Sequence, residues 1–547
     1  MKEKFYWYLK RETHILILLL IISLLLAVSV AFGVYLWKVI YDQLFKKPDT
    51  TLYLYITLFS VSAIIISNLL KIFKDSLISL LNRNLISLIR NDFLMEIMHY
   101  RYSFFLEHNS SEFVKRATED CRIIADGLSQ SVMGVVNLLQ ISFWLIFFLF
   151  LVPWVSLIYF VLLSMLIGWV LIWREKYEAS VYQISQEYDV LWRNLWEIFS
   201  GIKVIKLELL KTLVMNKMGD NLNRKESNFK RHMFYSNMLW NIFYLLPWLA
   251  AGSLLIIAVQ EIIQGSLTVG MLVFCFLFTE RFLTPCNESV GILISLQGLK
   301  AARKRVAAYR IGDKEQGGDL VFTGVKKKIE FKKICFSYPG SNFKLHNLFF
   351  TIPAGKKVAV AGKSGSGKST LTALLLRLFD PHSGKILIDD ISHSSFNLES
   401  LRNEIVLLPQ DIPIYYATLR ENIDVKQRLT DEEILQLISK VRLDEFFKRM
   451  PAGLDTFIFE GGIDISGGER QRLGIARALS LPASFYIFDE VTASLDKETE
   501  KYIADLLYNQ SNGITSLTIT HNPGLLEHMD IVYDLKQGRM IKRVSSE

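Results

Sequence analysis

Apolar residues in the first 310 positions fall in long runs, and from about residue 327 onward they fall in short runs broken by charge. Ile15 to Trp37 holds no charged side chain and is long enough to cross a bilayer as one helix. Five more apolar spans lie at about 51–70, 131–152, 155–173, 238–259 and 268–290, so six transmembrane helices are expected. The first run is too long for a cleavable leader, although Ala27-Val28-Ser29 resembles a cleavage site. Spans three and four nearly meet at Pro153, and only Gln260 to Leu267 separate five and six. About sixty residues separate spans two and three, and again four and five. These long connections read as helix: Leu77-Ile78, Leu80-Leu81, Leu85-Ile86 and Leu88-Ile89 recur at helical spacing, with no Pro or Gly from 71 to 126. Membrane helices are therefore expected to run on beyond the bilayer, where about 25 residues reach ~37 Å.

From Ile311 the composition turns polar and Gly-containing, and after Lys328 no run approaches spanning length. The expected division is a membrane domain at 1–310, a linker at 311–326 and a soluble domain at 327–547. In the last, Val358 to Ala361, Ile386 to Ile388, Phe485 to Phe488 and Leu517 to Ile519 alternate with helical stretches, which predicts a parallel sheet covered on both faces.

Charge sets the orientation. Lys71, Lys74, Arg83, Arg90 and Arg101 lie in one long connection, and Arg174, Lys176, Lys203, Lys206 and Lys230 in the other, whereas the short turns carry no Lys or Arg. The positive-inside bias then puts both long connections and both termini in the cytosol, with Lys38, Lys46 and Lys47 running against it. The 547 residues are 51% apolar with mean hydropathy +0.27, so a membrane location is expected. Net charge is +8, but no long single-sign run exists beyond Lys326-Lys327-Lys328, and nucleic acid is not an expected partner. Cys121, Cys275, Cys286 and Cys335 have no metal-ligand spacing and imply no disulfide framework. Glu280 and Arg281 stand about a dozen residues into span six, ~18 Å deep, where a charge needs a partner or a wet cavity. One step of helix parts them by about 100°, and the expectation is that Glu280 lines a cavity while Arg281 pairs with a neighbouring helix.

The candidate chemistry begins at Gly362-Lys363-Ser364-Gly365-Ser366-Gly367-Lys368-Ser369, an unbroken match to G-x-x-x-x-G-K-[ST], followed by Thr370. A strand from Lys357 to Ala361 leads in and a helix leads out. Glycines there let backbone N–H groups converge on a phosphate chain at the positive end of the helix. Lys368 is expected to reach the terminal phosphates and Ser369 to hold Mg²⁺. Phe485 to Phe488 is an apolar strand ending in Asp489-Glu490, so Asp489 is expected to approach Mg²⁺ and Glu490 a water at the γ-phosphate. Ile465-Ser466-Gly467-Gly468-Glu469-Arg470-Gln471-Arg472 opens another helix and reads as a second anion site.

With these motifs in this order, the chain resembles an ATP-binding cassette half-transporter of the exporter type over essentially its full length. The resemblance implies a six-helix membrane domain with long cytosolic extensions, fused to an α/β P-loop ATPase domain with a helical subdomain. The run from Ile465 corresponds to the family's signature, usually Leu-Ser-Gly-Gly-Gln, from which Ile465 and Glu469 depart. By the same resemblance, Tyr338, in Ser337-Tyr338-Pro339, stacks on adenine and Gln410 senses Mg²⁺ and the attacking water. Asp496 lies at a dimer seam, and His521 bonds the γ-phosphate. Ser466, Gly467, Gly468 and Glu469 close on ATP held by the P-loop of a second chain. Phe104-Phe105-Leu106 with Ser111-Glu112-Phe113 resembles the first cytosolic turning point, and Gly201-Ile202-Lys203-Val204-Ile205 the approach to the second. The type of exporter that carries its own leader-trimming peptidase is not expected.

The implied activity is ATP-driven export of an amphipathic cargo, peptide, lipid or drug-like, by alternating access. The implied partners are ATP, Mg²⁺, membrane lipid and a second copy, because one chain carries a complete motif set; a heterodimer is the other pairing. An importer of the same fold and a nucleotide-gated channel are the alternatives, the channel disfavoured by an intact Glu490.

Overall fold

The computed structural model describes residues 2–44, 50–207, 211–310, 312–338, 344–363, 365–459, 465–509 and 513–543. Lys46, Lys47, Pro339 and Ser364 lie outside them. The chain forms two compact units: Met1–Met98 with Asn109–Ile311, and His99–His108 with Gly312–Glu547.

The first unit is helical. A short helix α1 (Lys2–Arg11) precedes α2 (Thr13–Leu44) and α3 (Thr50–Met98), then the short α4 (Tyr102–Glu107) and α5 (Ser110–Lys115) lead to α6 (Cys121–Leu151). After it come α7 (Pro153–Ser200), α8 (Ile202–Leu207), α9 (Lys211–Ile263) and α10 (Val269–Ala308). Six of these helices are long and apolar enough to cross a membrane, and they run well past spanning length, α3 over 49 residues and α7 over 48. The break between α6 and α7 is made by Pro153, whose missing N–H costs nothing at a first helical position. Within the apolar windows 56% of α10 is buried against 17% of α3, so α10 packs at the centre of this unit and α3 presents most of its surface outward. The core is aromatic: Trp144, Phe148, Tyr159, Phe274, Phe278 and Phe282 are all fully buried. The Tyr159 hydroxyl is satisfied there by the Cys275 carbonyl at 3.1 Å, as a buried phenol requires.

Charges buried in the helical extensions are mostly paired. Asp120, 0% exposed, ends a π-helical turn and accepts from Arg116 at 2.8 Å and from Arg305 Nε at 3.1 Å. Asp92 accepts from the Tyr8 hydroxyl at 2.7 Å and from Arg310 at 2.9 Å. Removing one member of such a set strands the others, which is costly.

The second unit is built on three sheets. The strands in chain order are β1 (Lys328–Phe336), β2 (Leu345–Pro353), β3 (Lys357–Ala361), β4 (Ser383–Ile388), β5 (Ile391–Ser392) and β6 (Ile405–Leu408). They continue as β7 (Ala417–Thr418), β8 (Phe457–Ile458), β9 (Phe485–Asp489), β10 (Thr515–Ile519), β11 (Ile531–Lys536) and β12 (Arg539–Lys542). The central six-stranded sheet runs β12-β11-β3-β10-β9-β6, parallel except for β12 at its edge. The buried runs of β3, β9 and β10 fit a sheet covered on both faces. Ile386 to Ile388 does not join it. That run lies in β4, which pairs antiparallel with β1 in a separate four-stranded sheet, and in β4 Ile386 and Ile388 are buried while Leu387 between them is half-buried.

Two stretches outside 327–547 also belong to this unit. Segment 312–326 is held on it by hydrogen bonds from Gly318 N to Phe396 O and from Asn397 N to Leu320 O, and by a bidentate pair of Arg402 with Glu315 at 2.7 and 2.9 Å. The short stretch around α4 is tied in by Arg101 N to Asp313 O and by Glu315 N to His99 O, and Tyr102 packs edge-on to Phe379.

Candidate active site: a nucleotide cleft at the strand ends

In open parallel sheets ligands bind outside the carboxyl ends of the strands, and four strands deliver their ends to one place. β3 runs into the P-loop, β6 towards Gln410, β9 into Asp489-Glu490 and β10 towards His521. Tyr338, Gly362, Lys363, Gly365, Gly367, Lys368, Ser369, Thr370, Gln410, Asp489, Glu490 and His521 line one open cleft of about 740 Å³.

The P-loop is shaped by backbone that only glycine adopts readily. Gly365 (φ +78°) and Gly367 (φ +103°) are left-handed, and a Cβ on Gly362 would stand 2.7 Å from the Leu535 carbonyl oxygen. Gly367 is also the N-cap of the helix α11 (Lys368–Leu375), and it offers no side-chain bond to the first turn. Lys368 is only 7% exposed and lies across the loop, its Nζ donating to Gly362 O at 2.8 Å and Lys363 O at 3.2 Å. Ser366 Oγ is buried with no partner among the described residues. An orphaned hydroxyl, glycine backbone and a buried ammonium together fit a phosphate chain.

Asp489 and Glu490 line the same cleft although they are consecutive. β9 ends at Asp489, and Glu490 takes a left-handed conformation (φ +50°) that turns the chain before strand alternation can send its carboxylate away. Burial, reinforced by the charge of Glu490 and opposed by Lys368, pushes the Asp489 carboxyl up to about 6. Glu490 Oε1 lies 3.2 Å from His521 Nδ1, a contact between the two residues that sequence reasoning assigned to separate tasks.

Ser466, Gly467, Gly468, Glu469 and Asp496 are not among the residues that line this cleft. Ser466 caps the helix Gly467–Leu479 in a reciprocal box: Glu469 N donates to Ser466 Oγ at 3.3 Å, and Ser466 N and Oγ donate to Glu469 Oε2 at 3.0 and 2.9 Å. Glu469 is also ion-paired with Arg449. Although burial opposes it, the bonds from Ser466 and Arg449 hold the Glu469 carboxyl below its ordinary range. Asp496 caps the helix Lys497–Ala504, accepting from Thr499 N at 3.0 Å.

Gln471, also in the signature run, had no assigned role. Gln471 Oε1 accepts from Ser494 N at 3.0 Å, and its Nε2 lies 3.5 Å from the Glu490 carbonyl, so it ties the signature helix to the turn that carries Glu490. Its place two residues after Glu469 was the available signal. Arg449 gave none, since nothing local in sequence joins it to Glu469.

Residues 345–493 match the family described as ABC transporter, and residues 16–286 match the ABC transporter transmembrane region. The chain belongs to the ABC transporters. Proteins named ATP-dependent lipid A-core flippase are similar along most of this transporter. The one from Pseudoalteromonas atlantica is 27% identical over 472 residues, covering 85% of this chain and 80% of its own. That of Pectobacterium atrosepticum is 26% identical over 523 residues, covering 93% and 88%. The structure of a bacterial Atm1-family ABC exporter with ATP bound shares the fold, with TM-score 0.77 at 21% identity over 97% of this chain and 94% of that one. This ABC transporter is a membrane-spanning half-transporter that binds ATP and couples its hydrolysis to translocation. Half-transporters of this fold generally function as dimers.

Proposed function

We propose that two copies of this chain form one exporter that moves a lipid-like amphipathic molecule across the cell membrane, with both termini and the ATPase units in the cytosol. The observation that carries the pairing is the cleft itself. It gathers the P-loop, Asp489, Glu490 and His521 but not Ser466 to Glu469 or Asp496, which leaves the second anion site of one chain for the nucleotide of another. Export of a lipid-like cargo is supported by the flippase names of the relatives and by the transmembrane region; neither favours import. The orientation is supported by the Lys and Arg bias of the long connections.

In this reading Tyr338 stacks on adenine, and the P-loop N–H groups from Gly362 to Thr370, Ser364 included, cradle the phosphates with Lys368 on the terminal ones. Ser369, Gln410 and Asp489 would hold Mg²⁺, which would supply positive charge to the phosphate chain. Glu490 accepts a proton from the attacking water as its oxygen bonds to the γ-phosphorus and the bond to the bridging oxygen breaks. His521 orients Glu490 and contacts the γ-phosphate. Closure of two clefts requires Ser466, Gly467 and Gly468 of each copy, so binding brings the ATPase units together and product release parts them.

Reconstitution in liposomes tests this. The purified chain alone is expected to run as a dimer and to move a fluorescent phospholipid between leaflets with ATP. Protein that is monomeric and inactive until a second gene product is added overturns the homodimer; ATPase stimulated by peptides and by no lipid overturns the cargo.

A further inference from the structure

A cavity in the helical unit has a charged wall. It lies between α2, α3, α6 and α10, and Lys71, Lys74 and Arg281 line it together with Trp144 and Glu288. By helical rise Arg281 is ~18 Å from the start of α10, and Lys71 is ~27 Å from Tyr53, so the cavity spans the inner half of a bilayer. Arg281, past the midplane, is costly there without a counter-charge. Lys74 is 5% exposed, yet it has no hydrogen bond or ion pair among the described residues, and the same is true of Lys71 and Arg281. Glu288, the single carboxylate in the wall, is occupied by Asn137, which donates to it at 3.2 Å. The indole N–H of Trp144, on a fully buried ring, also lacks a partner among the described residues. Three cations against one carboxylate leave an excess of two positive charges, unlike the paired sets around Asp92 and Asp120.

We infer that this cavity binds the phosphate headgroup of an anionic amphiphile, with Arg281, Lys71 and Lys74 as its ligands. The inference rests on the lipid-like cargo proposed above and names the headgroup chemistry. A phosphomonoester carries close to the two charges that the wall lacks, and guanidinium and ammonium groups suit its oxygens. The cavity measures about 60 Å³, space for a few waters and so for one headgroup, not a whole amphiphile. Glu280, one helical step from Arg281, is not among the residues that line it.

The full-length protein in phosphatidylcholine nanodiscs is the test, with bound lipid counted by native mass spectrometry against phosphatidic acid, phosphatidylcholine of the same chains and inorganic phosphate. Phosphatidic acid is expected to bind at least tenfold tighter than phosphatidylcholine. Arg281→Gln and Lys71→Gln should each cut that preference about tenfold, while Glu280→Gln keeps it. Lys74→Gln is not needed: Lys74 is the buried one of the three, and the two exposed cations carry the measurement. Equal binding of the two lipids overturns the inference, as does a preference that survives in the Arg281→Gln, Lys71→Gln double variant. Inorganic phosphate binding without any lipid preference also overturns it, leaving a free-anion site. Phosphatidic acid that binds through Arg281 but is never flipped with ATP removes the lipid-cargo reading and leaves the headgroup site standing. Flipping that Arg281→Gln does not change does the reverse.

Discussion

Two helices in the ATPase unit begin with glycine-rich turns, and their first turns differ. At Lys368–Leu375 the cap is a left-handed glycine that makes no side-chain bond, so the opening N–H groups keep their capacity for an anion. At Gly467–Leu479 part of that capacity is already used, because Ser466 and Glu469 close the turn on each other and Arg449 anchors the carboxylate. A helix N-terminus is thus an anion site only if its own side chains leave it open. The first is ready for phosphate; the second has to give up an internal carboxylate, whose capping is worth ~1 kcal/mol, before a phosphate can take its place.

That contrast can be broken in graded ways. The largest expected effect is Glu490→Gln, which keeps the open end occupied by ATP but removes the base, so hydrolysis falls ~10²–10⁴-fold with nucleotide binding retained; multi-turnover assays beside filter binding check both. Lys368→Ala strips the ammonium from the open end, and nucleotide affinity is expected to drop by roughly 10–100-fold. At the closed end, Glu469→Gln keeps hydrogen bonds to Ser466 but removes the negative charge that competes with phosphate. KM for ATP should fall by a few-fold, about what a charge at a helix N-terminus contributes; an unchanged or raised KM shows that the cap is not in competition. An effect on stability rather than on turnover concerns the far end of the open helix. His393 is 3% exposed, and burial, aided by the charge of Arg377, pushes it down to about 4. The unfolded chain takes that proton near 6.5, so the stability from a neutral His393 is full above pH 6.5 and is lost as pH falls towards 4, by up to ~3 kcal/mol. ATPase surviving a heat step should decline more from pH 7 to pH 5 in the wild type than in His393→Phe.

What the sequence disclosed follows from where its information lies. Six spans and the P-loop were legible because each is written in consecutive residues: uninterrupted apolar runs, and glycines placed where the backbone needs a positive φ. Features that depend on residues distant in sequence were not. Arg449 meets Glu469 only after folding, and β4 is drawn out of the parallel sheet by its pairing with β1. Periodicity could say that Glu280 and Arg281 diverge but not which of them meets a cavity, since that depends on where α2, α3 and α6 lie around α10. The turn at Glu490 is intermediate: the acidic pair was plain, but its left-handed conformation, which brings both carboxylates to one cleft, has no signature in a non-glycine residue.

The stretch His99–His108 belongs to the ATPase unit although the sequence places it between two membrane helices. During synthesis it leaves the ribosome some 200 residues ahead of Gly312, where the rest of that unit begins. At about 5–20 residues per second the gap is roughly 10–40 s. For that time Tyr102 and Arg101 have neither Phe379 nor Asp380 to meet. The ATPase unit therefore cannot be completed as a consecutive length of chain, and a fragment that starts at Gly312 would lack the piece that covers Phe379.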